Sequence, residues 1–220
     1  MKPIFISSLL TASMLATAAH AATPFDGPYV GAQAGYENFH ADDDFTGAGV
    51  LAGTNASSSF NASGADGGIY AGYGRKLGQL YLGVEAEGDL GNADHSATSG
   101  TSSVKVEHRS SYGATARIGY LPTDSWLYYA RLGMVRSKFD ETASDTSVPF
   151  TAKDSVSLNG LRLGLGVESA LTDHITARFD WAYTAYQDYD ITYLVGGSSV
   201  GTEKISPSSN TFRLGLAYAF

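Results

Sequence analysis

No cysteine occurs in the sequence, so neither a disulfide framework nor a thiolate metal centre can hold this chain together. Beyond its N-terminal segment there is also no run of about 18 consecutive apolar residues, which excludes a spanning helix from the body of the chain. Charge is scarce: Asp, Glu, Lys and Arg make up 16% of the residues, against the ~25% usual in soluble domains. Basic charge is scarcer still, with 14 residues against 22 acidic ones and a net charge of -8. An acidic chain has no electrostatic attraction for nucleic acid. Glycine (26) and tyrosine (14) are plentiful instead. Few charges with many glycines and aromatics fit strands that turn one face to apolar surroundings and the other into a narrow tube.

Met1 to Ala21 carries Lys2, an apolar stretch from Ile4 to about Ala19, and Ala19, His20 and Ala21 in an A-x-A pattern. This order predicts a secretory signal peptide over 1–21, leaving 22–220 as a single exported domain.

From Tyr29 onward the sequence alternates with a period of two. The third such stretch, LYLGVEAEGDL, sets Leu80, Leu82, Val84, Ala86 and Leu90 on one face and Tyr81, Gly83, Glu85, Glu87 and Asp89 on the other. Three acids in register cannot face hydrocarbon, where each would cost several kcal/mol, so this stretch fixes which face is the lumen. The same parity puts Leu161, Leu163, Leu165 and Val167 outside and Arg162, Gly164, Gly166 and Glu168 inside. At the end of the chain it puts Phe212, Leu214, Leu216, Tyr218 and Phe220 outside and Arg213 inside. Polar stretches over 40–66, 91–103, 140–154 and 189–209 read as long loops, and those near 76–79, 122–125 and 172–174 as tight turns. The pattern predicts an all-β fold, an eight-stranded antiparallel up-and-down transmembrane β-barrel with both ends of the chain on the short-turn side.

The terminal stretch TFRLGLAYAF resembles the last strand of bacterial outer-membrane barrels. Together with GPYVGAQAGY, YLGVEAEGDL and TARFDWAYTAYQDYD, it is similar to the small outer-membrane β-barrel family of surface and opacity antigens, the "porin family" related to the transmembrane domain of outer membrane protein A. The resemblance implies integration in the Gram-negative outer membrane with loops facing out. It also implies an insertion signal at Tyr218 and Phe220 read by the barrel-assembly machinery, and closure of the last strand on the first. It further implies roles in envelope integrity, surface contact or adhesion, and antigenicity, with host or surface ligands meeting the loops.

Parity collects Glu37, Glu85, Glu87, Asp89, Glu168 and Asp180 with Arg117, Arg131, Arg162, Arg178 and Arg213 in the lumen. The interior of an eight-stranded barrel is only wide enough for side chains. These groups are therefore expected to pair as a buried plug, or else to form a thread through which small ions leak. Pairing the stretches on either side of Thr123 puts His108 opposite Lys138 and Ser110 opposite Arg136 on the outer face, with Asp140 just above. His108, Arg136 and Lys138 then form a candidate contact for lipopolysaccharide phosphates, beside the surrounding outer-membrane lipids. His108 and Ser110 also spell the H-x-S that resembles outer-membrane lipid A deacylases, but Asp124 falls at the opposite membrane face, and an enzyme is not expected. The run Asp42, Asp43, Asp44 lacks the ligand spacing of a calcium loop. No metal or cofactor is expected.

Overall fold

The computed structural model describes residues 24–91, 94–99, 102–145 and 150–220, so the predicted signal peptide lies outside the described residues. Ten strands follow in order: β1 (Gly27–Gly47), β2 (Asn55–Leu77), β3 (Leu80–Gly91), β4 (Asp94–Ser99), β5 (Ser102–Thr123), β6 (Trp126–Asp145), β7 (Phe150–Ala170), β8 (Ile175–Tyr186), β9 (Tyr189–Val195) and β10 (Ser198–Ala219). Every pairing between them is antiparallel. The order β1-β10-β8-β7-β6-β5-β3-β2 returns to β1 and closes a ring. β4 continues the line of β3, and β9 that of β8, each after a short break, so the ring has the eight staves the alternation predicts.

The closing seam runs from Tyr29 opposite Ala219 to Gly47 opposite Gly201. It leaves neither terminal strand with a free edge in the barrel, which is why a chain can end on a strand without fraying.

The stretches expected to be long loops are the main departure from the sequence reading. Residues 40–47, 55–66, 140–145 and 198–209 continue β1, β2, β6 and β10, and the connection at 48–54 is a turn around a short 3-10 helix, Gly49–Leu51. β1 alone has 21 residues, about 70 Å at ~3.3 Å per residue, whereas ~9–11 tilted residues cross a bilayer. The outer half of the sheet therefore stands clear of the apolar band. Its strands carry Ser, Thr, Asp and Asn on both faces. Without one apolar face there is no period-two signal, although the backbone ladder rising from the barrel still organises them.

Inside, the bore is filled in three layers. Phe39, Ala41, Ala62, Val135, Phe139, Leu158 and Tyr186 close the end nearest the protruding sheet. Phe25, Tyr81, Leu121, Leu127 and Tyr129 close the end with the short turns. The charged residues lie between them. The ring of Tyr70 crosses the wall at Gly31, where an added Cβ would come within 2.3 Å of it, so the glycine makes room for an aromatic that would otherwise not fit in so narrow a tube. Outside, Leu82, Val84, Ile118, Leu132, Leu163, Leu165, Leu214 and Leu216 are all exposed, while Glu85 and Glu87 are buried.

Candidate functional site

The charged middle layer is built by parity. Three successive inward positions of β3, Glu85, Glu87 and Asp89, carry acids that face arginines reaching in from strands across the bore. Glu85 takes Arg178 at 2.6 Å and Arg117 at 3.5 Å, and accepts the Tyr29 hydroxyl at 3.0 Å. Glu87 is held from two sides by Arg162 at 2.5 Å and Arg131 at 2.7 Å. Asp89 accepts Gln33 at 2.7 Å and lies 3.2 Å from Arg213. Glu168 takes Arg117 at 2.6 Å, and Asp180 takes the Nε of Arg178 at 2.9 Å. The flat guanidinium of Arg117 lies over Tyr129 at 3.8 Å and that of Arg178 over Tyr70 at 3.4 Å, so their faces are covered as well as their edges. All of these ionic side chains are buried. Ion pairs so thoroughly desolvated persist only when each charge has an opposite charge at hand, and that pairing fixes the side chains in place.

Two members of this layer escaped the sequence reading. Asp66, assigned to the end of a loop, points inward and binds Arg213 at 2.5 Å. Extending the alternation of Tyr70 and Gly68 by two residues would have found it. Gln33 links Arg178, at 2.7 Å, to Asp89 and carries no charge to attract notice.

His108 is a correction. It does not join Arg136 and Lys138 on the outer face. It is buried in the bore, 2.6 Å from Glu37 and tilted against Phe139 with ring centroids 5.1 Å apart. The turn between β5 and β6 is centred a residue further along than the sequence reading assumed, which brings Ser110 opposite Lys138 and Tyr112 opposite Arg136. A bulge at Arg109 then absorbs one residue and turns His108 inward, opposite Phe139. The H-x-S pair is split across the barrel wall in the same way, with Ser110 outside and His108 inside.

Arg136 and Lys138 do lie together on the outer face, where they line a shallow polar recess with Ser110, Tyr112 and Ser157. Lys138 has Asp140 at 3.7 Å, and Asp140 also takes the Nε of Arg109 at 2.9 Å. Among the described residues no carboxylate pairs with Arg136. At the opposite end Tyr218 and Phe220 are exposed on the outer face and meet edge to face at 5.2 Å. The acidic run divides by strand parity: Asp42 bonds His40, and Asp44 accepts Ser57 at 2.6 Å, on one face, with Asp43 on the other.

Comparison with known proteins places the chain among outer-membrane barrels. A family model described as "Outer membrane protein beta-barrel domain" matches residues 7–220. The "22 kDa outer membrane protein" of Rhizobium leguminosarum bv. viciae is 30% identical over 159 residues, covering 71% of this chain and 67% of that protein. Among solved structures, the outer membrane protease OmpT of Escherichia coli aligns with a TM-score of 0.54 at 9% identity, over 92% of this chain and 99% of that one. At that identity the last likeness concerns the fold alone.

Proposed function

Because the chain belongs to the outer membrane protein β-barrel family and is an integral protein of the outer membrane, we propose that it is a closed, non-enzymatic anchor whose working part is its protruding sheet. Its contribution is to envelope integrity, contact or adhesion at the cell surface, and exposure as an antigen. The observation that carries this reading is the filled bore: a cross-linked ionic layer capped by apolar side chains at both ends. An ion crossing from either side would have to shed its water against Phe39 and Phe139, or against Tyr81 and Leu127, to reach the ionic layer between them. The experiment is single-channel recording in planar bilayers. A silent membrane is expected, and stepwise conductance would favour the narrow channel instead.

The separation of His108 from Ser110 supports the non-enzymatic part, since a serine nucleophile needs its base within hydrogen-bond reach. His108→Ala and Ser110→Ala are expected to leave lipid A acylation unchanged when expressed in an outer-membrane host. Arg136 and Lys138 support a lipopolysaccharide contact, since a guanidinium with no carboxylate partner among the described residues offers a phosphate its two-pronged edge. The exposed pair Tyr218 and Phe220 supports recognition by the barrel-assembly machinery.

A further inference from the structure

Above the apolar cap, β2, β1, β10 and β9 continue side by side. Their inner face carries Ser58, Asp43, Phe45, Glu203, Gly201 and Tyr193, brought together by register: Asp43 opposite Ser58, Phe45 opposite both Ala56 and Glu203, and Gly201 opposite Tyr193. They border a cavity of about 510 Å³, closed further by Leu51 and Val200. That volume falls within the ~300–1,000 Å³ of small-molecule sites.

The aromatic wall is seated. Phe45 lies across Gly201, where an added Cβ would come within 2.4 Å of the ring, and its centroid is 6.1 Å from that of Tyr193 at an interplanar angle of 62°. The polar side of the cavity is anionic. Asp43 and Glu203 reach it from adjacent strands, and the Tyr193 hydroxyl donates to Glu203. Among the described residues no basic side chain pairs with either acid. Lys204 lies on the opposite face of β10 and is taken by Asp188 at 2.9 Å.

We propose that this cavity binds a small organic ammonium ion, its apolar body against Phe45, Tyr193 and Leu51 and its charged nitrogen on the carboxylates of Asp43 and Glu203. A neutral apolar ligand would strip water from two acids and give nothing back. A calcium ion needs about 6–8 oxygens, more than these few side chains bring into an apolar-walled hollow. An ammonium group satisfies both requirements and gains from the aromatic faces. The proposal goes beyond the reading of the protein as a closed surface anchor, because such an anchor could carry no ligand at all.

The groups facing Asp43 are Glu203 from β10, Tyr193 from β9 and Ser58 from β2, with Asp44 beside it along the chain. Burial first, then the hydrogen bond and charge of Glu203, push Asp43 up to about 6. The hydrogen bond to Glu203 pushes Tyr193 up to about 12, so it stays neutral throughout. A bound cation must therefore displace the proton that Asp43 takes up at lower pH.

The test is calorimetric titration of the full-length protein in detergent micelles with phenethylammonium, using 2-phenylethanol as a neutral probe of the same shape. Phenethylammonium is expected to bind at least tenfold more tightly than the alcohol at pH 7.5, and to lose about tenfold on going to pH 5 as one proton competes. Asp43→Asn with Glu203→Gln is expected to remove that preference, while Asp188→Asn keeps it. Heat-modifiable gel mobility shows that each variant is folded, and the pH comparison needs no variant. Equal affinity for the two probes, no binding of either, or binding unaffected by the double substitution would overturn the proposal. Bilayer conductance stays silent in every one of these outcomes if the anchor reading is right.

Discussion

Glu87 sits where two arginines converge, and its removal is the sharpest single-residue test of the ionic layer. In Glu87→Ala, Arg131 and Arg162 lose the carboxylate that both of them contact within 2.7 Å. Leaving buried charge without its partner costs about 3–5 kcal/mol. Urea titration in lipid vesicles is expected to show a loss of that size, whereas an exposed change such as Asp188→Asn should stay within about 0.5 kcal/mol. On the outer face, Arg136→Glu with Lys138→Glu is expected to reduce co-purifying lipopolysaccharide severalfold, and His108→Ala to leave it unchanged. At this scale the sequence was informative wherever an ionic residue lay within a clean alternation, as with Arg162 and Glu168. It failed for Asp66, where the apolar half of the alternation had already faded into Gly, Ala and Ser.

At the scale of the element, the bulging of one residue in β5 decides which side of the wall His108 occupies. Deleting Arg109 removes the bulge while leaving Ser110 opposite Lys138 and His108 opposite Phe139, so the ladder becomes regular and His108 keeps its inward face. A cysteine replacing His108 is expected to resist aqueous thiol reagents both in the intact protein and after Arg109 is deleted; reactivity in the intact protein that the deletion abolishes would argue against the bulge. Bulges leave little trace in composition, because the backbone rather than the side chains sets them. The protruding halves of β1, β2 and β10 were hidden for a related reason. Their pairing follows from strands already held in the ring, so it needs no apolar face of its own.

For the whole molecule, closure is the cooperative event. β10 joins β1 on one side and β8 on the other, so a chain lacking residues 211–220 is expected to give no compact, heat-modifiable band on an unboiled gel. A truncated chain that still ran as a compact species would show that the ring is not the unit of stability. The sequence by itself determined the barrel, the number of its staves and the polarity of its wall, because a side chain's face on a strand depends only on odd or even position and hydrocarbon tolerates only one of the two sets. Tertiary structure alone decided which arginine meets which acid, where the bore is capped, that His108 turns inward, and that Asp43 and Glu203 share a hollow with Phe45 and Tyr193. Those relations depend on register between strands far apart in the chain, and register is set by turns and bulges that the alternation of residue types does not record.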